Sequence, residues 1–166
     1  MKAKDLFSLS TAVVKSLLGA KMTLSVAESC TGGLIGKSIT DISGSSSVFY
    51  GGFLLYSNEA KVSLAGVSPD TLEAHGAVSE ETVKEMAGGT KEKCGTEFAL
   101  AVSGIAGPGG GTAEKPVGTV WIGLASPEGT FARKFLFEGD RDRVREATVE
   151  EALTMLINKI ENKLPQ

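Results

Sequence analysis

Histidine occurs once in the 166 residues, at His75, and cysteine twice, at Cys30 and Cys94. A lone imidazole discourages histidine-rich metal sites and weakens any mechanism that needs imidazole as the base. Two cysteines are too few for a disulfide scaffold, and with His75 they form no recognisable zinc-ligand spacing, so no metal is expected. An excess of either charge is missing as well: 20 acidic against 17 basic side chains leave a net charge of −3. Without a basic excess no nucleic-acid surface is expected. No apolar run reaches the ~18 residues of a membrane span, and the Met1-Lys2-Ala3-Lys4-Asp5 start is followed by no signal-peptide core. Together these absences predict a soluble, reduced, cytoplasmic chain. Its length suits one domain, residues 1–166, able to build a core without disulfide or metal staples.

Glycine is what the chain has in plenty: 21 of 166 residues, about 13% against a usual ~7%. So much glycine asks where backbone must turn sharply or approach a ligand closely. Leu6, Leu9, Val13 and Leu17 recur at helical spacing and predict a helix over about 5–19. Thr23 to Ala27 reads as a short buried strand that runs into Glu28-Ser29-Cys30-Thr31-Gly32-Gly33, with a small-residue helix following to about Thr40. Gly44 to Ser47 is a polar loop. Val48 to Tyr56 reads as a strand in which Gly51-Gly52 marks a bulge or a close backbone approach. Helices are expected from Asn58 to the Gly66 stop, from Ser68-Pro69, and from Ser79. Glu97 to Ser103 is a core strand leading into Gly104-Ile105-Ala106-Gly107-Pro108-Gly109-Gly110-Gly111. Val117–Ala125 and Thr130–Phe137 form a hairpin, and Asp140 caps a last helix. Helices interleaved with strands, plus one hairpin, argue an α/β domain with a mixed sheet.

Four segments, 28–33, 44–47, 56–61 and 103–111, follow strands or begin helices, where ligands of open α/β sheets bind. Thr31 to Ser38 is a near-miss to a phosphate-binding Walker A loop. Threonine replaces its leading glycine, and Gly36-Lys37-Ser38 falls inside the helix rather than at its mouth, so an ATPase is a weak reading. The 104–111 loop lacks the third glycine of a dinucleotide fingerprint. It is either a structural turn or a cradle of backbone amides for phosphate. Ser29 stands at a strand-to-helix junction where the Gly32 and Gly33 amides could face a developing oxyanion. Serine needs a base. His75 reads as a capping or surface histidine; Lys61, five residues after Tyr56, is the other route, although a lysine at a helix start is ordinarily exposed. Cys30 is either a nucleophile or a small buried thiol. Arg141, Arg143 and Arg145 are either solvated or supply one anion clamp at the helix mouth.

The ordered set Glu28–Gly33, Ser47–Gly52, Tyr56–Lys61, Gly76–Ser79, Ser103–Gly110, Lys115–Val120 and Gly139–Arg141 resembles the CinA C-terminal domain family over about residues 5–162. That resemblance implies a three-layer α/β/α domain, an expected homodimer, and a nicotinamide-nucleotide amidohydrolase needing no cofactor. Its small-molecule substrate is nicotinamide mononucleotide, deamidated to nicotinate mononucleotide and ammonia in pyridine-nucleotide recycling. By the same resemblance Ser29 is the nucleophile, Lys61 the general base and Tyr56 a supporting hydroxyl. Thr31, Gly32, Gly33, Ser47, Ser103, Gly104, Gly107, Gly109 and Arg141 are the implied substrate-binding positions. Many relatives carry an N-terminal molybdopterin-binding-like domain; this chain starts directly with the amidohydrolase-like part, so no pyrophosphatase activity is expected of it. The alternative is a non-catalytic nucleotide-binding or interaction module linked to competence or DNA-damage responses.

Overall fold

A computed structural model describes residues 5–162. The helices are α1 (Leu6–Ala20), α2 (Leu34–Thr40), α3 (Asn58–Ala65), α4 (Pro69–His75), α5 (Glu80–Cys94) and α6 (Arg141–Ile160). The strands are β1 (Leu24–Glu28), β2 (Phe49–Leu54), β3 (Phe98–Gly104), β4 (Thr119–Ser126) and β5 (Gly129–Leu136). The sequence stops and starts these elements with ordinary caps. Ser57, Ser68, Ser79 and Asp140 each accept a hydrogen bond from a first-turn amide of the following helix, and Pro69 occupies the first turn of α4. Gly66 and Gly95 end α3 and α5 in left-handed conformation. Phe137, read as part of the hairpin arm, lies one residue past β5, where its ring stacks on Phe135 at 5.3 Å.

The sheet order is β2-β1-β3-β4-β5. β2, β1 and β3 are parallel; β4 is antiparallel to β3, and β5 to β4. Side-chain alternation along the strands divides the interior into two unequal layers. Leu24, Val26, Leu100, Val102, Val120, Ile122 and Leu124 face a layer of α1, α2 and α6. Ala27, Ala99, Ala101 and Ala125 face the other layer, with α5 close behind. Small residues there let the helix approach: a side chain at Gly123 would lie 2.6 Å from the Val83 carbonyl. The result is a mixed α/β fold with helices on both faces.

The glycine pair in β2 has both expected consequences. The register shifts between Leu24 and Ser25, leaving Tyr50 as an extra residue, and a Cβ on Gly52 would fall 1.9 Å from the Val26 carbonyl. Because β2, β1 and β3 run the same way, their carboxyl ends lie side by side. β5 reaches that edge as well, after two antiparallel steps, and delivers the start of α6 there.

Candidate active site

Ser29 follows β1 directly, and its amide donates to the Val102 carbonyl of β3 at 3.2 Å. On the other side the Leu55 amide donates to the Glu28 carbonyl at 2.8 Å, so the chain leaving β2 stays alongside the Ser29 turn. These neighbours open a cleft of about 290 Å³ lined by Ser29, Cys30, Tyr56, Asn58, Lys61, Ala77, Val78, the 103–110 loop and Arg141. A crevice at the carboxyl ends of parallel strands is the usual ligand position in such sheets. Of the expected residues, Ser29, Tyr56, Lys61, Ser103, Gly104, Gly107, Gly109 and Arg141 all face this one cleft.

Lys61 lies in the first turns of α3 and is only 1% exposed. Ser57 caps that helix and fixes where the lysine departs from it. Lys61 Nζ lies 3.0 Å from Ser29 Oγ, 2.8 Å from the Leu55 carbonyl and 3.3 Å from the Tyr56 carbonyl. Burial holds its ammonium below the ordinary 10.5, with the nearby Cys30 sulfur a smaller opposing influence. None of the ion pairs among the described residues involves Lys61. The neutral amine has two N–H groups, matched by two carbonyls, and a lone pair left for the Ser29 hydroxyl. That is the geometry a serine nucleophile with a lysine base requires.

Burial pushes the Cys30 thiol up to about 11, with the Glu28 carboxylate acting in the same direction. A thiol so held stays protonated at neutral pH and is a poor nucleophile. Tyr56 contributes differently from expectation. Its carbonyl accepts from Lys61, whereas its side chain is 69% exposed and its hydroxyl accepts from Arg141 Nη2 at 3.4 Å. The tyrosine hydroxyl thus belongs to the cleft mouth, not to the Ser29–Lys61 pair. Arg141 also donates from Nη1 to the Gly107 carbonyl at 2.8 Å and so pins the glycine loop. The loop is closed at its base by Gly118 donating to Ile105, and Lys115 Nζ ties it to the His75 carbonyl. Among the described residues the amides of Ala106, Gly107, Gly109 and Gly110 have no backbone acceptor.

Thr31, Gly32 and Gly33 stand beside the cleft without lining it. The Gly32 amide donates to the Ser29 carbonyl at 3.2 Å, closing the turn, so it is not free for an oxyanion. Thr31 is buried and donates from Oγ1 to Glu28 Oε1 at 2.6 Å. Glu28 also accepts from the amides of Ile35 and Gly36 at 2.8 and 3.0 Å, capping α2 from the end of β1. This cap was not foreseen; its only sequence signal was a glutamate six residues before a helix whose cap position, Gly33, has no side chain to offer. Ser47 is misplaced altogether. It ends a 3-10 turn, Ser45–Ser47, just before β2, and because β2 is parallel to β1 that point lies at the opposite end of the sheet from Ser29. Lys37 pairs with Asp41 on the surface of α2, away from any phosphate cradle. His75 ends α4, half-exposed near Glu81 and outside the cleft. Asn58, Ala77 and Val78 line the cleft but were assigned no role from sequence.

The model of the CinA C-terminal domain matches residues 6–160. The chain belongs to that family. It is 51% identical over 158 residues to a CinA-like protein of Chlorobaculum tepidum, and 53% identical over 154 residues to one of Geotalea daltonii. These matches cover 92% and 93% of this chain but 37% of each relative, so the chain spans little more than a third of their length. The crystal structure of competence/damage inducible protein CihA from Agrobacterium tumefaciens superposes with a TM-score of 0.91 at 41% identity, covering 94% of this chain and 95% of that one. The competence damage-inducible protein A of Klebsiella pneumoniae superposes with a TM-score of 0.93 at 34% identity, covering 97% and 100%. The mixed sheet described above is the CinA-family fold. Among the described residues of this CinA-family chain, no group of three or more His, Cys, Asp or Glu side chains could hold a metal ion, and no helix is long and apolar enough to cross a membrane.

Proposed function

We propose that this CinA-family chain is an amidohydrolase that converts nicotinamide mononucleotide and water to nicotinate mononucleotide and ammonia. What carries the reading is the contact of buried Lys61 Nζ with Ser29 Oγ at 3.0 Å, its remaining donors held by two carbonyls. Lys61, neutral, takes the hydroxyl proton as Ser29 Oγ attacks the carboxamide carbon. The amide of Cys30, the residue after the nucleophile, replaces Gly32 as oxyanion donor. The carbon–nitrogen bond breaks as Lys61 returns the proton to ammonia, leaving an acyl-serine. Water then loses a proton to Lys61, attacks the acyl carbon, and frees Ser29. No cofactor enters any step.

The nucleotide's phosphate faces the amides of Ala106, Gly107, Gly109 and Gly110 together with Arg141, and the pyridine ring lies against the exposed Tyr56 side chain. Ser29→Ala should abolish ammonia release from nicotinamide mononucleotide while leaving binding of the nucleotide, measured by calorimetry, intact. Unchanged turnover in that variant sinks the mechanism. The expected homodimer has its own support in Tyr50 and Leu54, both exposed on edge strand β2. Light scattering reads the mass directly, and a monomer would remove this part of the reading. The relatives' competence- and damage-inducible names favour the second reading, a nucleotide-binding or interaction module. Saturable nucleotide binding with no product from the unmodified chain would select it.

A further inference from the structure

The mechanism above gives the oxyanion a single donor, the Cys30 amide, and leaves unused a hydroxyl that stands beside the nucleophile. β1 and β3 are parallel, with Glu28 opposite Val102. The Ser29 amide donates to the Val102 carbonyl at 3.2 Å, which carries the same register one step past β1 and sets Ser29 opposite Ser103. Side chains alternate along a strand. Ala27 and Ala101 both face the α5 layer, so Ser29 and Ser103, two residues further on, point to that same face. Lys61 reaches Ser29 from the β2 side, past the Leu55 and Tyr56 carbonyls, whereas β3 lies on the other side of β1. The nucleophile thus has a lysine on one flank and a serine on the other.

Ser103 is 1% exposed and lines the Ser29 cleft. Among the described residues no partner engages its hydroxyl, yet it is not one of the fully enclosed orphan atoms, which are Ser10 Oγ, Thr90 Oγ1 and Arg145 Nε. The little surface it keeps lies in the cleft wall. A buried hydroxyl with nothing to bond costs roughly 1–3 kcal/mol, so this one is built for an acceptor that arrives from outside. Neighbouring strands run about 5 Å apart. That gap is too wide for the two serine hydroxyls to bond each other. It does accommodate an oxygen on a carbon that Ser29 Oγ has attacked, at about 3 Å from Ser103 Oγ. The mount is rigid as well. Ser103 pairs with Trp121 of β4, and a Cβ on the next residue, Gly104, would lie 2.5 Å from Val120 Cγ2.

We propose that Ser103 is a catalytic residue whose hydroxyl donates to the substrate's amide oxygen as that oxygen becomes an anion. With the Cys30 amide it completes a two-donor oxyanion hole. The inference rests on the reading of Ser29 as nucleophile, and it moves Ser103 from substrate binding to stabilising the transition state. Its proton stays on Ser103 throughout, so the proton transfers through Lys61 are unchanged. A donor aimed at the developing anion tightens as charge builds, and such a contact raises kcat rather than lowering KM.

Kinetics of the full chain test the role. Ser103→Ala should lower kcat for ammonia release from nicotinamide mononucleotide about a hundredfold, with KM nearly unchanged. Its melting midpoint should hold or rise, because no protein hydrogen bond is lost. Ser103→Thr keeps the hydroxyl and should recover most of the rate, whereas Arg141→Ala at the cleft mouth should raise KM instead. A rise in KM at unchanged kcat in Ser103→Ala, or equal losses in Ser103→Ala and a folded Ser103→Thr, would overturn the proposal. Turnover surviving in Ser29→Ala is a different failure, that of the nucleophile. Pyridine-3-boronic acid reads the same contact without turnover. Ser29 Oγ adds to boron as its proton passes to Lys61, leaving a tetrahedral borate with an oxygen in the hole. Calorimetric affinity for this boronate should fall about tenfold or more in Ser103→Ala and vanish in Ser29→Ala. An affinity unchanged in Ser103→Ala would overturn the role of Ser103 even in a chain that releases no ammonia.

Discussion

Lys61 and Lys159 are 1% and 5% exposed, yet Lys61 faces a hydroxyl and two backbone carbonyls whereas Lys159 faces the Glu128 carboxylate. The two lie at opposite ends of the sheet. Lys159 comes from the last turn of α6 and meets Glu128 in the β4–β5 turn, with its Nζ 4.7 Å from the centre of the Phe131 ring. Its contacts with a carboxylate and an aromatic face tie a helix to a hairpin. Lys61 has only neutral dipoles around it, and burial works against its charge. One side chain type thus sits in two different settings according to whether a carboxylate reaches it.

The largest effect should come from removing the proposed base. Lys61→Ala should lower amide hydrolysis about a thousandfold, measured as ammonia release, while Lys159→Met should leave the rate untouched. Equal losses in the two variants would erase the distinction between them. The pH profile sharpens it: activity should rise with pH through the lowered Lys61 value, because only the neutral amine can take the Ser29 proton.

Stability should follow the same asymmetry. The folded state binds the Lys61 proton less tightly than the unfolded chain does. Between the lowered folded value and 10.5 the unfolded state therefore carries more protons, and stability rises with pH across that window. Below it the desolvation penalty is fully present. Lys61→Met should accordingly raise the melting midpoint at neutral pH by a few degrees and flatten the rise with pH. A midpoint below that of the unaltered protein at neutral pH would mean that the charged lysine is stabilising. Lys159→Met should lower the midpoint instead, with a loss of about 1 kcal/mol of stability, as the ion pair and the ring contact are lost together.

How much of this was legible in the sequence depended on whether the deciding interaction was local. Ser68-Pro69, Ser79 and Asp140 announce helix starts because a cap is satisfied within three residues, and Gly51-Gly52 announces a bulge because few other residues adopt its backbone. The fold class follows from such signals. The burial of Lys61 does not: it depends on the Ser29 turn arriving from β1, more than thirty residues earlier in sequence. Its role was supplied by family resemblance, since spacing gives no measure of solvation. Three further features escaped for the same reason. The Gly32 amide is consumed by a turn, Glu28 caps a helix from seven residues away, and Ser47 falls at the wrong end of a parallel pair of strands. Each is decided by register or by contacts distant in sequence, which composition and periodicity cannot carry.

The smallest effect tests whether Lys159 needs its carboxylate at all. Glu128 is about half exposed, so its charge remains well solvated and the pair is partly screened. Glu128→Gln keeps the side chain's length and removes the charge, leaving the Phe131 ring as the lysine's remaining partner. The cost should be about 0.5 kcal/mol, visible as a small drop in denaturant midpoint at low salt that shrinks as salt is raised. Catalysis should be unaffected, because the β4–β5 turn lies at the far end of the sheet from Ser29. A loss of several kcal/mol would show that Lys159 is a buried charge dependent on one partner. In that case the contrast with Lys61 would rest on the presence of the carboxylate alone, with no share left for the aromatic ring.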